Sequence, residues 1–209
     1  GYDGVIIKVQ LGGFNIDGQN IISGAGISLA QLVNVSIDNN LTGLEWSVGI
    51  PGTIGGAVNG NAGAYGNSIS EKIESVVILD ENGKEKKYSK DECDFRYRGS
   101  KFKKIDNKEI ITEIELTLGI GDKEKSKERI KDILTQRKGK IPPQPSAGCV
   151  FKNIKSEDGK LIAAAGSLVE QCELKGARAG GAEIPMLHGN YIVNADGATA
   201  KDVISLITL

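Results

Sequence analysis

Between Gly49 and Gly66 the chain runs Gly-Ile-Pro-Gly-Thr-Ile-Gly-Gly-Ala-Val-Asn-Gly-Asn-Ala-Gly-Ala-Tyr-Gly. Glycine loses much conformational entropy on folding and brings no side chain to pack. A segment this dense in it belongs where φ must be positive or where something approaches the main chain closely. Two readings compete: a turn-rich connection between strands, or a bed for a planar, phosphorylated cofactor. The order of the residues favours the second. Ile50-Pro51-Gly52 fixes a rigid turn, Gly55-Gly56 leaves backbone open to a ligand, and Asn61 and Tyr65 offer polar contacts.

Other glycine patterns are decoys. Gly24-Ala25-Gly26 sits between a strand and a helix, as a dinucleotide fingerprint would. The third glycine is missing at the required spacing, however, and the acidic residue expected about 20 positions on is not at a strand end. No Gly-x-x-x-x-Gly-Lys-Ser/Thr occurs, which rules out a P-loop enzyme.

With 209 residues and a net charge of -1, the chain reads as a folded protein. Its lysine runs are interleaved with Glu and Asp, so neither nucleic acid nor a membrane surface is the expected partner. No apolar run is long enough to span a bilayer and no signal peptide is visible, so the expected compartment is the cytoplasm. Cys93, Cys149, Cys172 and the single His188 are too few and too scattered for a disulfide framework or a zinc cage, and no metal is expected. The chain opens without Met and stops inside an amphipathic run, as a piece of a longer protein would.

The pattern along the chain predicts an α+β architecture. Residues 4–10 and 19–23 read as strands, and Ser28 caps a helix carrying Leu29, Leu32, Val33, Ser36 and Ile37. The glycine region has too little periodicity for a long element. Residues 73–80 and 84–88 form a hairpin around Glu81-Asn82-Gly83, and 110–118 alternates as a strand. A charged surface helix follows over 122–137, with a narrow stripe of Ile130, Ile133 and Leu134. Ile141-Pro142-Pro143-Gln144-Pro145 cannot be helix interior. It divides the chain into an expected first domain, residues 1–140, and a smaller second one, residues 141–209. In the second, strands are expected at 150–154 and 191–194, and helices at 167–172 and from Thr199 onward.

Four ordered motifs then converge. They are Gly49 to Ala57; Asn61-Ala62-Gly63-Ala64-Tyr65-Gly66; Arg96-Tyr97-Arg98-Gly99-Ser100; and Pro145-Ser146-Ala147-Gly148-Cys149-Val150-Phe151-Lys152-Asn153. A later stretch, Gly180-Gly181-Ala182-Glu183 through His188-Gly189-Asn190-Tyr191-Ile192-Val193-Asn194, fits the same pattern. Over nearly its whole length the chain resembles the MurB family, the UDP-N-acetylenolpyruvoylglucosamine reductases of bacterial cell-wall synthesis.

The resemblance implies an FAD-binding domain of the vanillyl-alcohol-oxidase type followed by a smaller α+β substrate-binding domain. It implies NADPH as co-substrate and, as substrate, UDP-N-acetylglucosamine enolpyruvate, whose enolpyruvyl ether becomes a lactyl ether. Hydride would pass from NADPH to flavin N5 and on to the substrate, in a monomeric enzyme serving cell-wall growth and division. By motif position, Gly24, Gly26, Gly49, Ile50, Pro51, Gly52, Thr53, Gly55, Gly56, Ala57, Asn61, Gly63 and Ala64 would hold the cofactor. Arg98 would stabilise the developing enolate, since an arginine stays charged and grips a carboxylate with two bonds.

Cys149 stands where the family commonly has serine. A thiol with an ordinary pKa of about 8.5 is mostly protonated at neutral pH and can donate the proton. Tyr97, Lys152 and Asn153 would contact substrate, and His188 most resembles a structural position. The resemblance also implies two further elements, a glycine-serine-asparagine loop before Gly1 and a catalytic glutamate after Leu209. Two other readings stay open: a related flavoprotein oxidase, and a non-catalytic module that binds a UDP-sugar.

Overall fold

In a computed structural model, which describes residues 3–104 and 106–209, the first two strands turn on Gly18, whose φ is +56°. They are β1 (Phe14–Asp17) and β2 (Asn20–Gly24). The hairpin joins β3 (Ile73–Leu79), β4 (Glu85–Ser89) and β5 (Ile110–Thr117) in an antiparallel sheet of order β1-β2-β5-β3-β4. Apolar residues alternate along these strands, so one face is dry: Ile21 opposes Leu116, and Val76 opposes Ile114, all four fully buried. The β3–β4 turn is built as its sequence predicts. Asp80 Oδ1 accepts from the N–H groups of Asn82 and Lys84 at 2.9 Å each, and Gly83 takes a φ of +74°.

Two helices cover the dry face. Ser28 accepts the Gln31 N–H and starts α1 (Leu29–Asp38), which buries the predicted stripe of Leu29, Leu32, Val33, Ser36 and Ile37. The second, α2 (Ile54–Gly60), forms inside the glycine segment, where Thr53 is the N-cap and Asn61, with φ +43°, ends the helix. Ile54, Ala57 and Val58 carry it into the core beside Trp46. Burying the Ile54 and Val58 side chains contributes roughly 1.5–3 kcal/mol each.

The long helix α3 (Lys123–Arg137) matches expectation. The chain divides into two compact units, Gly1–Leu134 and Thr135–Leu209. The residues after Leu134 include Pro145, whose carbonyl accepts the Asn194 N–H at 2.8 Å within the second unit.

That unit holds β6 (Ser146–Cys149), α4 (Ala165–Gln171), β7 (Arg178–Ala179), β8 (Ala182–Glu183), β9 (Tyr191–Asn194) and α5 (Ala200–Thr208). Its sheet has the order β6-β9-β8-β7, and Ala182, Ile184, Ile192 and Leu206 form its core. Thr199 and Asp202 make a reciprocal capping box at the start of α5.

Two strands differ from expectation. Residues 4–10 are not in a strand, and Val5, Ile6 and Ile7, each more than three-quarters exposed, pair with no strand among the described residues. The strand expected at 150–154 lies earlier, at Ser146–Cys149. Gly148, with φ +84°, breaks the register, and Ile154–Lys155 pairs instead with Leu161–Ala163. No helix among the described residues is long and apolar enough to cross a membrane.

Candidate active site

The glycine segment is laid against residues 25–29 by backbone hydrogen bonds. Leu29 N–H donates to Gly52 O at 3.1 Å, Ile54 N–H to Ile27 O at 2.8 Å and Gly55 N–H to Ala25 O at 3.0 Å. Its glycines therefore serve different ends. A Cβ on Gly55 would stand 2.9 Å from the Ala25 Cβ, so that position is glycine for packing. Gly52 takes a φ of +118°, which side chains rarely adopt. Gly56 is exposed, and a Cβ there would meet only Thr53 Oγ1, at 3.6 Å. Thr53, Gly55, Gly56 and Asn59 line one side of an open cavity of about 340 Å³, with Ala25 and Ile111 beside them.

Gly24 and Gly26 have an explanation within the fold. Gly24 N–H donates to Gly13 O at 3.0 Å and Gly26 N–H to Leu11 O at 2.8 Å. A Cβ on Gly24 would stand 2.6 Å from Leu11 O, and one on Gly26 2.7 Å from Gln10 C. The failed dinucleotide fingerprint is thus a place where one stretch of backbone crosses another.

Arg98 sits at a tight turn in which Arg96 and Gly99 exchange both backbone hydrogen bonds, each 3.0 Å. Its own φ is +55°, a left-handed conformation unfavourable to a long side chain. The guanidinium is half-buried; Nη2 donates to Gly63 O at 2.6 Å, and the group lies 5.3 Å from the Tyr97 ring centroid. Lys103 Nζ donates to Arg98 O at 3.2 Å. Arg98, Tyr97, Asn61 and Gly63 are thereby gathered around the C-terminal end of α2. Asn61 is buried and its amide is engaged inside the protein, Nδ2 donating to Arg96 O at 3.0 Å and Oδ1 accepting from Ser70 N–H at 3.3 Å.

In the second unit Cys149 is exposed at the end of β6, in register with Tyr191 on β9. Burial raises the Tyr191 phenol, and the neighbouring Cys149, hydrogen-bonded to it, raises it further against the Arg137 charge. Lys152 is exposed. Asn153 is partly buried, and its Oδ1 accepts the Ala165 N–H at 3.0 Å at the start of α4. The run between them is clamped by Asn190, which exchanges two hydrogen bonds of 2.9 Å with the Phe151 backbone. His188 Nδ1 accepts the Asn190 N–H at 3.2 Å, and its ring packs edge-on against Tyr191.

Tyr191 does not stand out in the sequence as a neighbour of Cys149, because strand register brings it there, and Asn190 does not stand out as the clamp on Phe151. Buried Glu45 carries no sequence signal either. Its carboxylate accepts from Thr42 Oγ1 at 2.6 Å, Gly43 N–H at 2.8 Å and Ser126 Oγ at 2.6 Å. Burial pushes its pKa up, yet these donors together hold it below the ordinary carboxylate value.

Comparison with known proteins places both units. Residues 1–89 match the model of the FAD binding domain, and residues 141–209 match that of the UDP-N-acetylenolpyruvoylglucosamine reductase C-terminal domain. The UDP-N-acetylenolpyruvoylglucosamine reductase of Clostridium tetani is 38% identical over 211 residues, covering 100% of this chain and 66% of that protein. That of Clostridium novyi is 38% identical over 209 residues, again 66% of its length. The crystal structure of UDP-N-acetylenolpyruvylglucosamine reductase (MurB) from Thermus caldophilus superposes with a TM-score of 0.78 at 37% identity, over 90% of this chain and 66% of that one. With the four motifs in order, the FAD-binding and C-terminal domain models matched at either end, and these relatives aligned along nearly the whole chain, the protein belongs to the UDP-N-acetylenolpyruvoylglucosamine reductase family.

Proposed function

We propose that the protein reduces UDP-N-acetylglucosamine enolpyruvate to UDP-N-acetylmuramate in peptidoglycan synthesis, with FAD as bound cofactor and NADPH as co-substrate. The observation that carries this reading is the half-buried Arg98 cation, held 2.6 Å from Gly63 O at the end of the glycine segment. The open cavity beside Gly56, with no side chain at that position to fill it, fits a flat group laid on backbone. FAD, when bound, supplies the two-electron reduction that NADPH renews.

Gly49, Ile50, Pro51, Gly52, Thr53, Gly55, Gly56, Ala57, Gly63 and Ala64 form the cofactor bed, and Asn61 contributes to it through its backbone. Gly24 and Gly26 shape its border by letting residues 10–13 cross closely. Arg98 grips the substrate carboxylate and stabilises the negative charge that grows there as the double bond is reduced. The exposed Cys149 thiol gives its proton to the carbon beside that carboxylate, with Tyr191 orienting the sulfur. Tyr97 packs on the substrate and Lys152 offers its charge to the diphosphate. Asn153, whose oxygen is committed to α4, presents its NH2 group. The enzyme works as a cytoplasmic monomer with no nucleic-acid partner, in keeping with a net charge of -1.

The test is an anaerobic half-reaction. The FAD-loaded protein is bleached with NADPH, and the enolpyruvyl substrate is then added. Return of the oxidised flavin spectrum with formation of the lactyl ether is expected. Recovery with oxygen alone would identify an oxidase, and a spectral shift without turnover would identify a binding module.

A further inference from the structure

We infer that Asn61 and Ser100 are positioning residues that fix Arg98 to the last turn of α2, an assignment that rests on the role proposed above for Arg98. The turn carrying Arg98 is tied to that helix on both sides. Ahead of it, Asn61 Nδ2 donates to Arg96 O at 3.0 Å. Behind it, the fully buried Ser100 hydroxyl donates to Asn59 O at 2.8 Å and accepts the Phe102 N–H at 3.2 Å. Two residues past Asn61, Gly63 O receives the guanidinium at 2.6 Å.

The clamp opposes a backbone strain. Arg98 has a φ of +55°, a conformation that a long side chain leaves unless its surroundings hold it. Asn61, at φ +43°, is itself left-handed, a state asparagine tolerates better than most residues, and its amide spans from Ser70 N–H to Arg96 O. The helix that opens at Thr53 beside the cavity thus closes on the residues that aim the cation. One short element sets the distance between the cofactor bed and Arg98.

Asn61→Asp keeps size and left-handed tolerance but sets an oxygen against Arg96 O. Ser100→Ala removes the second tie. Nitrogen-15 arginine spectra of the FAD-loaded protein, with Arg98 assigned by its absence in Arg98→Lys, should show a resolved, slowly exchanging guanidinium in the parent. In either variant that signal should average toward those of exposed arginines while cooperative unfolding is retained. Substrate-driven flavin reoxidation should slow about 10- to 100-fold in both, and in Ser100→Ala reduction by NADPH should keep its parental rate. In an Arg98→Ala background Asn61→Asp should slow it no further, because the effect passes through Arg98.

An unaltered Arg98 signal in both variants, or full additivity in the double variant, overturns the assignment. Should Asn61→Asp fail to fold, Ser100→Ala decides alone. If the parent protein is not reoxidised by substrate, the proposed function fails, while the Arg98 spectrum still decides whether the clamp exists.

Discussion

The Arg98 guanidinium donates to the carbonyl oxygen of Gly63 at 2.6 Å, so the cation is aimed by the glycine segment itself. One N–H of the fork is spent on that carbonyl, and the others remain for a carboxylate. Lysine keeps the charge but has no planar fork, and it cannot hold Gly63 O and grip a carboxylate in the same way. In Arg98→Lys, substrate-driven flavin reoxidation should fall by roughly 10²- to 10³-fold, the cost of losing a preorganised donor, while FAD affinity stays unchanged. Stopped-flow absorbance measures both. An Arg98→Lys protein working at the parental rate would remove the bidentate role.

Cys149 is predicted to act as an acid, not as a packing residue, since it is exposed at a strand end. Cys149→Ala should slow reoxidation by substrate about 10²- to 10⁴-fold and leave reduction by NADPH intact. Cys149→Ser restores a hydroxyl donor at the same place and should recover most of the loss. Equal single-turnover rates in the alanine and parent proteins would exclude a proton from this sulfur.

Adjacent glycines should behave oppositely. Gly55→Ala would drive a methyl to within 2.9 Å of the Ala25 Cβ, and overpacking of this kind costs about 1–3 kcal/mol. Gly56→Ala makes only an ordinary contact with Thr53 Oγ1 and should stabilise the helix by roughly 0.5–1 kcal/mol, yet it places a methyl in the cavity and should weaken FAD binding. Thermal unfolding and an FAD titration of the two variants separate these effects. Parental FAD affinity in Gly56→Ala would move the cofactor elsewhere.

What could be read from the sequence was local. The β3–β4 hairpin was legible because Asp80 and Gly83 encode the turn directly, and α1 because Ser28 stands in front of a clean apolar stripe. Helix α2 was not, since Gly55, Gly56 and Gly60 argue against helix, and burial of Ile54 and Val58 outweighs them. Residues 5–7 have the composition of a strand, but pairing depends on a neighbour that only the fold supplies. Motif order pointed to Arg98 and Cys149. The bond from Asn61 to Arg96 spans 35 residues, and no local pattern signals such a contact.

Glu45 gives the fold a pH dependence. Its buried carboxylate is surrounded by the Ser126 and Thr42 hydroxyls and the Gly43 N–H, and these hold it ionised below the ordinary carboxylate value despite burial. A folded value lower than the unfolded one means that the unfolded chain binds more protons in this range. The contribution is therefore complete above the unfolded pKa of about 4.3 and is lost as pH falls through the folded value. The donors that hold Glu45 are neutral groups, so added salt should change this contribution little. In Glu45→Gln the amide nitrogen meets donors in place of acceptors, and hydrogen bonds to a charged group worth about 1.5–3 kcal/mol each in other proteins are lost or weakened. The variant should melt well below the parent at pH 7 and closer to it at pH 3, by thermal unfolding at both. An equal gap at the two pH values would show that the network works through shape alone. A gap that narrows with acid would show that the Glu45 charge pins Ser126, at the start of α3, to the Thr42–Glu45 turn.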